Sequence, residues 1–281
     1  MKKKNPHLRK ALDLTVKVLS SLGSGIGIAV LFWILFEVVR RGAAAFTPAF
    51  FTELPAPPGA EGGGLANAML GTLIITSLAA LFGVPVGMLG GVYLAEYGRS
   101  RRFGDVVRFV MSAMMGVPSI LVGLFAYGLL VVTIGHFSGW AAVFALSMIM
   151  IPIVARTTEE MLLLVPNALR EAALAVGSPR WKVTLSVLFR AARGGLVTGV
   201  LLAVARVTGE TAPLLFTALN SPYWPEKLGQ PTANLTVTIF NYAMSPYENW
   251  QRAAWGASLL IVVSVLALTL GARALSREKK P

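Results

Sequence analysis

RTTEEMLLLVPNALREAALAVGSPRWKVTLSVLFRAAR, residues Arg156 to Arg193, is the stretch around which the chain is arranged. Apolar runs long enough to cross a bilayer flank it on both sides, while its own centre is polar and basic. Gly177-Ser178-Pro179 predicts a break between two short helices. Gly177 suits the position after a helix end, Ser178 an N-cap and Pro179 a first helical residue. The expectation is a helix-turn-helix held against a membrane face, with Arg180 and Lys182 on its second helix, which reads as a docking device. The same spacing also fits an amphipathic helix lying on lipid and anchored by those two cations.

Composition sets the environment of this stretch. Of 281 residues, 55% are hydrophobic and 14% charged, and the mean hydropathy is +0.68. That leaves too little polar surface to cover a soluble globule. Several uncharged runs of 17 or more residues predict an all-α polytopic membrane protein with one compact transmembrane domain. The chain has no Cys, which excludes disulfides, thiol chemistry and thiolate metal sites. His7 and His136 lie far apart in sequence, so no His-based metal site is expected.

Six spans are expected around the central stretch. The first, Val18 to Val39, follows the basic segment Met1 to Lys17 and has 22 residues. A signal-peptide core has roughly 7–15, so this run is read as a retained span. Arg40 to Gly64 is a Pro/Gly-rich loop. The second span runs from about Ala66 to Ala95, with Gly83, Gly87 and Gly91 on one helix face for close approach to a neighbour and Pro85 as a kink. The third, about Phe109 to Ile134, bends at Pro118. His136 reads as an exposed turn residue. The fourth, Gly139 to Ala155, has 17 residues, the lower limit for crossing. The fifth, about Gly194 to Leu219, is the only one with charges near its middle, Arg206 and Glu210. The loop Asn220 to Gln251 carries Tyr223, Trp224, Tyr242, Tyr247 and Trp250, which fit an interfacial belt or a partner surface. Asn234-Leu235-Thr236 matches a glycosylation sequon and is discounted as a chance match. The last span is about Ala253 to Ala272.

An even number of spans puts both termini on one side. That side holds 20 of the 25 Lys and Arg residues, against four on the other and Arg206 within the membrane. By the positive-inside rule both termini and the central stretch are cytoplasmic. The net charge of +12 is thereby a matter of topology, and no nucleic-acid partner is expected. The expected organisation is a basic cytoplasmic tail (1–17), a transmembrane domain (18–272) with its cytoplasmic loop at 156–193, and a cytoplasmic tail (273–281).

Arg206 and Glu210, four residues apart, would share a helix face and could pair. A lone arginine at the bilayer centre costs from about 2.5–3.5 to more than 10 kcal/mol, so it faces a partner, a bundle interior or water. One reading is an ion pair that locks the fifth span. The other is an anion step, in which the guanidinium offers forked donors and Glu210 holds it in place. Thr208 and Thr211 could add hydroxyl contacts or bond their own helix backbone.

Glu171-Ala172-Ala173, followed after three residues by Gly177, resembles the EAA loop of the inner-membrane permeases of ABC importers. The resemblance implies that Glu171, Ala172, Ala173 and Gly177 belong to a coupling helix seated in a groove of an ATPase subunit. The family pattern ends in Ile-x-Leu-Pro, where this chain has Val187-Leu188-Phe189-Arg190. The run Gly209 to Ala218 is similar to the fifth-span signature of the PstA family of phosphate-importer permeases. Arg156-Thr157-Thr158-Glu159-Glu160-Met161-Leu162, Gly116 to Ile120, Ala233-Asn234-Leu235 and Ala243 to Tyr247 match it too.

That family implies the ABC importer permease fold and phosphate as the substrate. It also implies a PstC-like second permease subunit, a PstB-like ATPase dimer, a PstS-like external phosphate-binding protein and membrane lipid around the chain. The resemblance, in which charged residues of this span are tied to transport, favours Arg206 and Glu210 on the substrate path, with Thr208 and Thr211 as candidate hydroxyl contacts beside them. The chain has no Gly-x-x-x-x-Gly-Lys-Ser/Thr and no Gly-Lys pair, so it supplies no ATP site, and ATP and Mg would sit on the partner ATPase. It is thus read as a transport subunit and not an enzyme, with no cofactor of its own. The alternatives are a permease for another oxyanion, a passive anion channel, which would need no docking loop, and a membrane-embedded enzyme.

Overall fold

A computed structural model describes residues 6–60, 62–99 and 101–276. Lys2, Lys3 and Lys4, and Arg277, Lys279 and Lys280 of the basic tail, lie outside the described residues. The described chain is helical. Helix α1 (Pro6–Gly42) carries the first span, Leu12–Ala45, longer at both ends than the apolar run suggests. It touches the rest of the molecule near its C-terminal end, where Gly42 abuts the Trp255 carbonyl and Leu259. Helix α2 (Pro48–Thr52) is capped by Thr47, whose hydroxyl accepts from the Phe50 N–H at 3.2 Å.

Helix α3 (Ala66–Val92) runs unbroken through Pro85, where a kink is expected from sequence, and continues as a π-helix over Tyr93–Tyr97. Its four-residue glycine face does what the spacing predicts. A methyl group on Gly87 would come within 2.8 Å of the Ile151 carbonyl, and one on Gly91 within 2.5 Å of the Ala155 carbonyl. Both carbonyls belong to the fourth span, so the two backbones are in contact.

The third span is not one straight helix. Helix α4 (Arg102–Gly116) and the segment made of α5 (Ser119–Ala126), a π-turn and α6 (Val132–Ile134) meet at 101°. Pro118 lacks an N–H and forces Val117 out of the α region, to φ −71° and ψ 129°, which breaks the ladder. With this broken pair counted as one span, the described chain has six.

Helix α7 (Gly139–Leu163) extends eight residues past the expected end at Ala155. Its polar last turns remain helical, helped by the Arg156–Glu160 ion pair at 2.7 Å. Helix α8 (Asn167–Ala175) is the first half of the expected helix-turn-helix. The second half is not a separate helix. Helix α9 (Arg180–Lys182) passes through a π-helical segment, Val183–Leu188, into α10 (Phe189–Thr208), and together they form the fifth span, Arg180–Thr208. That span therefore starts and ends earlier than Gly194 to Leu219. Pro213 sets the end, because a proline there can neither donate to nor fit over the Gly209 carbonyl.

A short helix α11 (Ala212–Leu215) follows. The aromatic loop contains a helix that the sequence reading missed, α12 (Leu235–Ala243). Its N-cap is Asn234, which accepts from the Val237 N–H at 2.9 Å and is 1% exposed, so the sequon is a capping residue. Helix α13 (Glu248–Ser276) closes the described chain.

The core lies in three tiers. Ile75, Leu146, Met150, Val207 and Val237 fill the centre. Phe50, Leu65, Tyr242 and Ala257 pack beneath the aromatic loop. Leu162, Val183, Leu188 and Leu196 pack behind α8.

Candidate functional site

The end of α10 is the first part of the site. Ala191, Gly195, Thr198 and Leu202 line an open groove of about 590 Å³ between α7 and α10, opposite Thr157 and Met161. Arg206 lies one turn beyond Leu202, on the same helix face, and is exposed. The helix stops at Thr208, so Glu210 lies past its end and does not share that face. Neither the Arg206 nor the Glu210 side chain makes an ion pair or hydrogen bond among the described residues. The expected Arg206–Glu210 pair is not formed, because the i, i+4 geometry on which it rests needs a helix that Gly209 and Pro213 terminate.

Glu210 is instead held by its backbone: its N–H donates to the Val207 carbonyl at 3.1 Å and its carbonyl accepts from the Thr236 hydroxyl at 2.9 Å. Thr208 donates to the Val204 carbonyl at 2.8 Å and borders a largely apolar cavity of about 490 Å³ with Met69, Leu73 and Leu260. Thr211 is half-buried and starts the turn into α11. The broken α10–α11 turn packs on the broken third span: a methyl group on Gly123 of α5 would come within 2.6 Å of Pro213 Cα. Two interrupted helices are thus brought side by side.

The second part is α8. Glu171 and Ala172 are exposed and Ala173 is half-buried. Gly177 ends the helix in the left-handed region at φ 84°, its N–H donating to the Leu174 carbonyl at 2.9 Å and that of Ser178 to the Ala173 carbonyl at 3.4 Å. The glycine is where the sequence placed it, since only a residue without Cβ adopts this turn cheaply. The N-cap of the next turn falls on Pro179 and not on Ser178, with no side-chain cap. Leu169, Leu174 and Val176 leave an apolar strip in solvent, Val176 being 80% exposed.

One side chain fixes α8 to the bundle. Arg170 donates to Glu96 at 3.1 Å, to the Leu162 and Val165 carbonyls at the end of α7, and to Asn167 at 3.2 Å. It thereby satisfies carbonyls that a helix end leaves without partners. A second network lies alongside. Arg108 pairs with Glu159 at 2.7 Å and donates to the Leu94 carbonyl at 3.0 Å. Glu159 is 3% exposed; its second oxygen has no hydrogen bond and lies 3.7 Å from Arg156 Nη1. These contacts tie the end of α3 to α4, α7 and α8. Sequence reasoning missed them because the partners are 51 and 74 residues apart.

Comparison with known proteins agrees with this architecture. Residues 83–280 match the family model of binding-protein-dependent transport system inner membrane components. The chain is 46% identical to the phosphate transport system permease protein PstA of Yersinia pestis, over 99% of this chain and 95% of that protein. It is 47% identical to the PstA of Haemophilus influenzae, over 98% and 97%. Among solved structures, a chain of a bacterial ABC transporter for import of the polysaccharide alginate superposes with a TM-score of 0.66 at 15% identity, covering 98% of this chain and all of that one. A chain of the inward-facing MetNI methionine ABC transporter gives 0.64 at 21% identity, covering 76% and 94%.

Proposed function

The chain belongs to the family of binding-protein-dependent transport system inner membrane components, and on that premise we propose that it is a phosphate permease. It is a multi-pass inner-membrane subunit without an ATPase domain. In this reading inorganic phosphate crosses the cytoplasmic membrane between this chain and a second, PstC-like permease. A PstB-like ATPase dimer holds ATP and Mg, and an external PstS-like protein delivers phosphate. The observation that carries the reading is the near-half identity to phosphate permeases over almost the whole chain, coupling loop and fifth span included.

Two features support the assignment of roles. Arg206 is exposed in the isolated chain, at the end of a helix that crosses the membrane. An unpaired guanidinium is costly against lipid, so that face is turned to the anion path and the second permease. Its forked donors match phosphate oxygens. Glu210 and Thr211 stand at the turn next to it, whereas the Thr208 hydroxyl lies on the opposite side of α10, bonded to the Val204 carbonyl. At the cytoplasmic end, Glu171, Ala172, Ala173 and Gly177 shape a small, apolar-edged helix tip that fits a groove on the ATPase.

The test is uptake of labelled phosphate by vesicles carrying the assembled complex, with and without ATP. We expect uptake only with ATP and little competition from sulfate. Uptake that continues without ATP would make the complex a passive channel, and sulfate competing as well as phosphate would make it a general oxyanion permease.

A further inference from the structure

A second group of arginines lies away from the anion path, where the end of α3, α8 and the start of the fifth span meet. Glu96, Arg99, Arg170, Arg180 and Thr184 line a cavity there of about 220 Å³. Arg170 and Glu96 neutralise each other at 3.1 Å. The Arg99 and Arg180 side chains have no hydrogen bond or ion pair among the described residues. Three guanidinium groups against one carboxylate leave two positive charges unanswered around a small concave space. Thr184 gives its proton to the Arg180 carbonyl at 3.1 Å.

Both long helices bordering this cavity turn π-helical there, over Tyr93–Tyr97 and Val183–Leu188. Such widened turns store unfavourable geometry and cluster at functional sites. The cavity lies on the face that the charge distribution assigns to the cytoplasm, beside the exposed Trp181 and Tyr97, residues suited to the headgroup level. Basic pockets between helices at that level suit phosphate headgroups.

We propose that this cavity binds a phosphate group, held between Arg99, in the turn just past the π-helical continuation of α3, and Arg180 on the start of the fifth span. The paired Arg170–Glu96 contact forms its floor. A bound phosphate bridges two helices that flank α8 and holds them at a fixed separation, so occupancy sets how readily a movement of α8 spreads them. The group can come from an anionic phospholipid or from inorganic phosphate in the cytoplasm; the chemistry of recognition is the same.

The experiment is hydrogen exchange on the assembled complex in phosphatidylcholine nanodiscs. One arm adds phosphatidylglycerol to the bilayer and the other adds inorganic phosphate to the buffer. In at least one arm, exchange over 93–99 and 180–188 should slow about tenfold, as one or two charge-assisted hydrogen bonds would give. Arg99→Gln with Arg180→Gln should abolish the slowing, and Arg99→Lys with Arg180→Lys should keep part of it. If the double Gln variant fails to assemble, Arg99→Gln alone, off the docking helix, should still reduce the effect. Slowing in the first arm identifies lipid and in the second free phosphate. No slowing in either arm, or slowing that survives the Gln substitutions, overturns the proposal. The readout is local exchange and not uptake, so its failure leaves the transport reading untouched.

Discussion

Arg206 and Glu159 are charged side chains on spans of one bundle, the first exposed and the second buried, and they meet opposite fates. Glu159 is closed in by Arg108 and stands near Arg156, whereas the Arg206 side chain has no hydrogen-bond or ion-pair partner among the described residues. Replacing Glu159 by Gln leaves Arg108 with no counter-charge in the buried part of its surroundings. Arg108 keeps the exposed Asp105 at 3.1 Å, so the folded permease should lose about 1.5 kcal/mol, the low end for a hydrogen bond to a charged group, read as a lower thermal midpoint in detergent. Replacing Arg206 by Gln should leave that midpoint unchanged, because it breaks no contact of this chain. It should nevertheless abolish labelled-phosphate uptake while the complex still assembles; normal uptake by this variant would remove Arg206 from the path. The sequence marks Arg206 because a charge inside an apolar run is conspicuous. Glu159 and Arg170 are not marked, since each sits among other charges next to a loop and its partner is fixed by folding alone.

Helix ends were the least legible feature at the next scale. An apolar run shows where a chain can meet lipid, not where its hydrogen-bond ladder stops. Helix α7 outlasts its apolar run because Arg156 and Glu160 support each other across one turn. Helix α10 stops inside its run because Pro213 ends it. Helix α12 lies hidden in a loop of mixed composition, announced only by Asn234. Helix α8 was readable because Gly177 punctuates it. A Cβ there meets nothing within 4 Å, so Gly177→Leu is penalised through backbone alone, by about 1–2 kcal/mol for the left-handed conformation. The turn should reorganise and α8 present a different tip. We expect the ATPase to co-purify less well with this variant; undiminished co-purification would remove α8 from the docking surface.

Taken whole, the molecule leaves long apolar surfaces uncovered. Only 6% of the most apolar stretch of α1 is buried, and the groove between α7 and α10 stands open. The broken spans α4–α5 and α10–α11 adjoin through Gly123 and Pro213. The helical spans at this scale were legible from the apolar runs; the 101° break in the third span was legible only as a bend. The contact between α3 and α7 has a mechanical meaning. At Gly87 and Gly91 the α3 backbone lies directly against the Ile151 and Ala155 carbonyls and the β-branched side chains of Val154 and Thr158, with no side chain of its own in between, and Arg170 bolts α8 to the ends of both helices. The pair is a strut. Spin labels on α3 and α7 should keep their separation within about 1 Å through the ATP cycle, as close-packed interiors deform little, whereas labels on α7 and α10 should change theirs. A strut stores no displacement, so if the ATPase pushes at α8, the movement should be carried to the far end and appear where the helices are already broken, at Pro118 and beside Arg206.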